Sequence, residues 1–132
     1  MICLDSSFII DLLKNKKEAV YKLEKLAKED LATTRVNIYE VLFGAFIKKG
    51  IDHQRFSERI NAFISKINVM ELDEVGSINA AKIKADLAQK GRVIEDTDCL
   101  VSGIILSNNC KTIITRNKDH FDRIKEVKAE GY

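Results

Sequence analysis

The chain has 132 residues, 45% of them hydrophobic, and a net charge of +2 from 22 basic and 20 acidic residues. This length and apolar content predict a single domain over residues 1–132, and the near-neutral charge excludes nucleic-acid binding by bulk electrostatics. No apolar run approaches the ~20 residues of a membrane span, and the start lacks the basic segment of a signal peptide, so a cytoplasmic protein is expected.

Short apolar runs alternate with helical patterns along the whole chain. The predicted elements of the first half are a strand at 2–4, a helix at about 8–13, a surface helix at 17–29, a strand at 31–34 and a helix from Asn37 to about Lys49. Those of the second half are a helix at 56–67, strands at 68–72 and 111–115 with helices at 78–91 and 99–106 around them, and a weak strand near Val127. The helix from Asn37 is apolar on most sides and is expected to be buried nearly all round.

Short apolar strands separated by long helices are typical of a parallel sheet that is covered on both faces. We therefore expect the α/β class, with a three-layer α/β/α arrangement and a central, mainly parallel sheet. In such sheets ligands bind at the carboxyl ends of the strands, where the connecting loops gather.

Acidic and amide side chains stand at these strand ends. Asp5 ends the first strand, while Asp96 and Asp98 open a helix. Asn117 and Asp119 follow the strand at 111–115. Their positions predict that they meet at one edge of the sheet.

Glu40 is exceptional because it lies inside an otherwise apolar helix. A carboxylate there is costly to bury without a partner. Gly44, one turn later, costs the helix about 1 kcal/mol relative to alanine, and we expect it to leave backbone room beside Glu40.

Several carboxylates brought together repel one another unless cations lie between them. Oxygen ligands without histidine or cysteine favour Mg²⁺ or Mn²⁺ over zinc. Such ions activate water and neutralise phosphate charge, so the residues themselves predict a metal-dependent phosphodiesterase or phosphatase.

Each acid also has a structural explanation. The alternatives are a helix N-cap for Asp5 and for one of Asp96 and Asp98, a loop acid for Asp119, and an ion pair with Arg35 for Glu40. His53 and His120 are expected at the surface, without a metal role. Arg116 can reach a phosphate or simply be solvated.

Four segments in order carry these residues: LDSSFIIDLL at 4–13, TTRVNIYEVLFGAF at 33–46, GRVIEDTDCLVSGIIL at 91–106 and TIITRNKDHFDRI at 112–124. Together they resemble the PIN-domain ribonucleases, in particular the VapC-type toxins of toxin–antitoxin pairs. The resemblance covers nearly the whole chain and implies the PIN-like version of the three-layer fold.

The resemblance also implies a site and a function. Its metal ligands would be Asp5, Asp98 and Glu40, with Asp96 as an additional acid, and its catalytic set would be Asp5, Glu40, Asp98, Asn117 and Asp119. It implies Mg²⁺-dependent hydrolysis of RNA (with Mn²⁺ as a possible substitute), a homodimer, and inhibition by a small VapB-like antitoxin. Candidate RNA contacts are Lys14, Lys48, Lys49, Arg92 and Arg116.

Three other functions fit the sequence less well. A haloacid-dehalogenase-like phosphatase would place a second aspartate two residues after Asp5, where Ser7 stands, and a receiver-like domain would have an early acidic pair. A PIN-like module that binds RNA or protein without cutting would be expected to have lost one of Asp5, Glu40 and Asp98.

Overall fold

The computed structural model describes all residues, 1–132, as five strands and seven helices. The strands are β1 (Ile2–Leu4), β2 (Leu31–Thr34), β3 (Asn68–Met70), β4 (Thr112–Ile114) and β5 (Lys128–Glu130). The helices are α1 (Ser6–Leu13), α2 (Lys17–Lys25), α3 (Arg35–Phe46), α4 (His53–Ile64), α5 (Glu74–Gln89), α6 (Asp96–Ser107) and α7 (Lys118–Phe121). None of the seven helices combines the length and the hydropathy that crossing a bilayer would take.

The strands form one all-parallel sheet in the order β3-β2-β1-β4-β5. Strand β1 is central, and its Cys3 pairs with Ala32 of β2 on one side and with Ile113 of β4 on the other. The chain winds outward from β1 through β2 to β3 and then returns to the other side of β1 with β4. Such a reversal opens a crevice at the carboxyl ends of the two strands that flank it.

The two faces of the sheet bury different helices, because successive side chains of a strand point to opposite faces. Cys3 and Ile113 contribute to a core packed beneath α5, α6 and α7. Leu4 and Ile114, the next residues along, contribute to a second core with α1, α2, α3 and α4. The structure thus confirms the α/β class and the three-layer arrangement.

The expectation that α3 is buried nearly all round was wrong. The helix buries Ile38, Val41 and Ala45 against its neighbours. On its outer side Tyr39 is 61% exposed and Phe43 is 55% exposed, with their rings stacked at a centroid distance of 6.3 Å. The helix belongs to an outer layer of the fold, so only its inner face is covered.

Two helices start earlier than predicted. Helix α5 starts at Glu74, four residues earlier than expected, since the Asp73 carboxylate accepts a hydrogen bond from the backbone N–H of Gly76 at 2.7 Å and caps it. Helix α1 starts at Ser6, two residues earlier than expected. The four-residue helix α7 was not predicted, because so short a segment carries no periodic pattern.

Helices α5 and α6 pack with their backbones in close approach at Gly103. A β-carbon added there would lie 2.6 Å from the backbone nitrogen of Ala80 and 2.7 Å from its Cβ, nearer than real side chains come. Gly44 differs, because a β-carbon on it would meet nothing within 4 Å. Its room lies toward open space, so packing beside Glu40 does not require a glycine there.

These two glycines give a matched pair of predictions. Gly103→Ala should lower the free energy of unfolding by about 1–3 kcal/mol, because α6 must move away from α5. Gly44→Ala should raise it by up to about 1 kcal/mol through helix propensity alone. Urea denaturation of both variants measures the difference, and equal effects at the two positions would contradict the close packing of α5 and α6.

Candidate active site

The Asp5 carboxylate lies at the switch point between β1 and β4 and is almost fully buried. It occupies the N-cap position of α1, but its side chain caps nothing. Instead its oxygens accept hydrogen bonds from three side chains, Asn37 Nδ2 at 2.9 Å, Ser7 Oγ at 2.9 Å and Thr115 Oγ1 at 2.6 Å. The N-cap interpretation of this side chain was therefore wrong, and its orientation is set by the three donors.

Asn37 donates to Asp5 through its side-chain NH₂ group, because Thr34 occupies its amide oxygen. The Thr34 hydroxyl accepts from the Asn37 backbone N–H at 3.0 Å, and Asn37 Oδ1 accepts from the Thr34 backbone N–H at 3.3 Å. This capping box fixes the amide, so that its NH₂ group points at Asp5. Sequence reasoning treated Asn37 only as a helix residue, although the Thr34-x-x-Asn37 spacing was a usable signal.

Glu40 lies one turn after Asn37 on α3, and Ser6 Oγ donates to its Oε1 at 3.2 Å. Burial raises the pKa of Glu40 to about 7, and the nearby charges of Asp5 and Asp98 add to the rise. Arg35 does not neutralise it, because that guanidinium donates to Glu71 at 2.6 Å. The ion pair proposed as an alternative role for Glu40 is thus absent.

Asp98 lies in the first turn of α6 with its side chain largely buried. Its Oδ2 is 2.8 Å from Nδ1 of His120 on α7. Burial and the charge of Asp5 raise the pKa of Asp98, while the His120 hydrogen bond opposes that rise. His120 was expected to be a plain surface residue, and no motif in the sequence indicated that α7 would bring it to Asp98.

Asp5, Glu40 and Asp98 form the acid cluster of this site. Three other predicted residues lie outside it. Asp96 is 81% exposed at its side chain and pairs with Lys84 of α5 at 2.7 Å. The side chains of Asn117 and Asp119 are exposed, and Asn117 approaches only through its backbone N–H, which donates to Thr115 Oγ1 at 2.9 Å. The N-cap of α6 is Glu95, without a side-chain bond, so neither Asp96 nor Asp98 caps that helix.

The donor chemistry of the cluster fits a hard divalent cation. Asp5, Glu40 and Asp98 offer oxygen only. Burial, and after it the charge of Asp5, raises the pKa values of Glu40 and Asp98. No three histidine, cysteine or acidic side chains stand close enough to hold an ion by themselves. Magnesium accepts such a site, because it usually keeps several water ligands and uses only one or two carboxylates.

The fold and the cluster define a class, the doubly wound α/β proteins with a carboxylate-lined crevice at the switch point. A family model described as "PIN domain" matches residues 2–127. The chain therefore belongs to the PIN-domain family.

Known relatives align with nearly the whole of this chain. The tRNA(fMet)-specific endonuclease VapC of Salmonella typhimurium is 26% identical over 129 residues, covering 98% of this chain and 96% of that protein. Ribonuclease VapC1 of Methanocaldococcus jannaschii is 26% identical, covering 99% and 86%. The DNA-bound VapBC structure from Salmonella typhimurium superposes with a TM-score of 0.84 at 26% identity, over 98% of this chain and 96% of the other. VapBC2 of Rickettsia felis, bound to promoter DNA, gives 0.85 at 22% identity over 100% and 99%.

The raised pKa of Glu40 predicts a stability change with pH in metal-free protein. Its folded pKa of about 7 lies above the ordinary 4.5, so the parent protein should lose stability as pH rises between those values. Glu40→Gln lacks this loss and should be more stable than the parent above pH 7, on the order of 1 kcal/mol. Denaturant titrations in EDTA over this pH range measure it.

The control is Glu126→Gln, which alters an exposed glutamate outside the site. It should follow the pH profile of the parent. Added Mg²⁺ should reduce the difference in the free energy of unfolding between Glu40→Gln and the parent. The ion would relieve the repulsion among all three carboxylates only in the parent. A difference in the free energy of unfolding that does not change with pH would show that Glu40 is not in the electrostatic environment described.

Proposed function

We propose that the protein is a metal-dependent endoribonuclease, the toxin of a VapBC-type toxin–antitoxin pair. The observation that carries the proposal is the meeting of Asp5, Glu40 and Asp98 at the switch point of a PIN-domain chain. The chain also aligns from end to end with proteins named as VapC nucleases. The predicted cytoplasmic location and the single domain over 1–132 form part of the proposal.

Each residue of the cluster has a distinct task in this proposal. Asp5, Glu40 and Asp98 would hold Mg²⁺, with Mn²⁺ as a substitute, partly through water ligands. The ion would supply water activation and charge neutralisation at the phosphate. Asn37, Ser7 and Thr115 keep the Asp5 carboxylate in one orientation. His120 holds one oxygen of Asp98 and leaves the other without a side-chain hydrogen bond.

A groove of about 770 Å³ between α1, α3 and α4 supports an RNA substrate. Its basic lining residues are Lys14, Lys48, Arg55, Arg59 and Arg116. Asp52 is its single acid. Local cations of this kind can bind a phosphate backbone although the whole chain is nearly neutral.

The basic residues expected from the sequence to contact RNA differ in their place relative to this groove. Lys14, Lys48 and Arg116 line the groove, whereas Lys49 and Arg92 do not. The backbone carbonyl of Arg92 instead lies beside the Arg123 side chain. Arg55 and Arg59 were missed, because an amphipathic helix such as α4 carries basic residues on its solvent side in any case.

A small VapB-like antitoxin is the protein partner we propose. The Salmonella typhimurium relative is described as a VapBC assembly, and this chain covers 96% of the matched chain. The same relative is named for tRNA(fMet), so initiator tRNA is the first RNA to test.

We also propose a homodimer that forms through the outer face of α3. Tyr39 and Phe43 stack there in the open, and Tyr39 shares a shallow pocket with Leu72. Exposed aromatic patches of this kind commonly mark protein interfaces.

The main alternatives are a non-cleaving RNA- or protein-binding module and another magnesium-dependent α/β phosphatase. All three acids are present, which favours cleavage over binding alone. Ser7, which stands where a phosphatase would have its second aspartate, donates to Asp5 and supports its orientation.

Removing either buried acid should abolish RNA cleavage. Asp5→Asn and Asp98→Asn keep side-chain shape but lose a charge that would bind the ion, so the Mg²⁺-dependent rate should fall by at least about 100-fold. Gel analysis of initiator tRNA and bulk RNA, each with Mg²⁺ and with EDTA, measures the rate.

Asp96→Asn is the matched control, because this carboxylate faces Lys84 outside the cluster. It should cut RNA as fast as the parent. Loss of activity in Asp96→Asn would return Asp96 to the ligand set, and full activity in Asp5→Asn and Asp98→Asn would overturn the proposed site.

The dimer gives a separate test. Phe43→Glu should convert a dimer into a monomer, because it places a charge in the centre of the aromatic face. Tyr21→Glu is the control, since Tyr21 is equally exposed, at 60%, but lies on α2. Light scattering after size exclusion measures the mass, and a Phe43→Glu variant that remains dimeric would place the interface elsewhere.

A further inference from the structure

Asp11 is a buried carboxylate that takes no part in the acid cluster. It lies on α1, one turn after Ser7, with 3% of its side chain exposed. Lys16 Nζ lies 3.0 Å from its Oδ1, while the Arg116 guanidinium and the Tyr132 hydroxyl, at 2.7 Å, meet its Oδ2. Burial alone would raise its pKa, but these three donors outweigh burial and lower the pKa to about 2.

Arg116 is the residue that links Asp11 to the acid cluster. Its backbone N–H donates to Ser7 Oγ at 3.0 Å, and the same hydroxyl donates to Asp5 at 2.9 Å. Its guanidinium pairs with Asp11, one turn further along the same helix. The residue after Thr115 is thus fastened to α1 at two points, once through its backbone and once through its side chain.

Tyr132 fixes the acceptor side of this pair. Its ring packs edge-on against Phe8 at a centroid distance of 4.7 Å, and Phe8 is fully buried. This packing places the Tyr132 hydroxyl where it donates to Asp11. The carboxylate it holds cannot rotate away from Arg116 without losing that bond.

The Arg116 side chain nevertheless remains 54% exposed and lines the basic groove. A guanidinium has five N–H donors, and the contact with Asp11 leaves some of them facing the groove. A pre-oriented arginine binds phosphate in a fixed, bidentate geometry and loses little freedom on binding. The single carboxylate of Asp11 pairs with two cations, Arg116 and Lys16, so these three side chains together keep a net positive charge.

We propose that Asp11 is a positioning residue, which together with Tyr132 holds Arg116 at the rim of the groove for a backbone phosphate of bound RNA. The inference rests on the proposed function for the identity of the ligand. A positioning role and a simple electrostatic role predict opposite changes in RNA affinity when Asp11 is replaced. Removing the negative charge of Asp11 would strengthen RNA binding by electrostatics alone, whereas loss of positioning weakens it.

The test measures binding of a short fluorescein-labelled single-stranded RNA by anisotropy in EDTA, so that no cleavage occurs. Asp11→Asn should raise the Kd about 3- to 10-fold, because Arg116 loses its fixed orientation. Arg116→Ala should raise it at least as much. The double variant should bind no more weakly than Arg116→Ala alone, since Asp11 acts through that arginine.

Tyr132→Phe provides a second variant that keeps every charge and removes one hydrogen bond. It should weaken binding in the same direction as Asp11→Asn by a smaller factor, and thermal unfolding shows that each variant is folded at the assay temperature. In cleavage assays with Mg²⁺, the KM of Asp11→Asn should rise while kcat stays within about 2-fold.

The outcomes separate this inference from the proposed function. Tighter or unchanged binding by Asp11→Asn, or additive effects in the double variant, would overturn the positioning role even if the parent cuts RNA. If the parent never cuts RNA but the effects of Asp11→Asn and Arg116→Ala on Kd are not additive, the positioning role is supported and the nuclease activity is refuted. A parent that binds no RNA would overturn both.

Discussion

The buried carboxylate of Asp5 is the constraint on which the rest of the structure depends. A charge in that position, between two central strands, requires hydrogen-bond donors from several directions. Ser7 comes from α1, Asn37 from the start of α3 and Thr115 from the end of β4. Satisfying one side chain therefore fixes the relative placement of three segments that also carry the remaining parts of the site.

The sequence predicted the scaffold well, because short apolar strands and strand-end acids are local signals. Asp5, Glu40 and Asp98 could be named because their types are unusual where they stand. The direction of a side chain could not be predicted in the same way. Asp96 turns to Lys84 on a neighbouring helix, and His120 reaches Asp98 from a helix of four residues. Both contacts depend on packing between distant elements, which periodicity does not encode.

The acid cluster also shows a conflict between stability and function. Glu40 and Asp98 are held near one another and near Asp5 without any lysine or arginine among them, although the chain has 22 such residues. A basic partner would relieve the repulsion and at the same time occupy the place of a cation. The repulsion is confined to this one point, because the other buried acid, Asp11, forms ion pairs with Lys16 and Arg116.

The pairing of β1 with β4 has a consequence for the synthesis of the chain. The hydrogen bond from Thr115 to Asp5 joins residues 110 positions apart, and β4 is an immediate neighbour of β1 in the sheet. A nascent chain on the ribosome cannot form this contact until β4 and Thr115 have emerged. The acid cluster therefore takes its final form only after residue 115 has been synthesised, and chains that stop earlier lack the Thr115 hydrogen bond to Asp5.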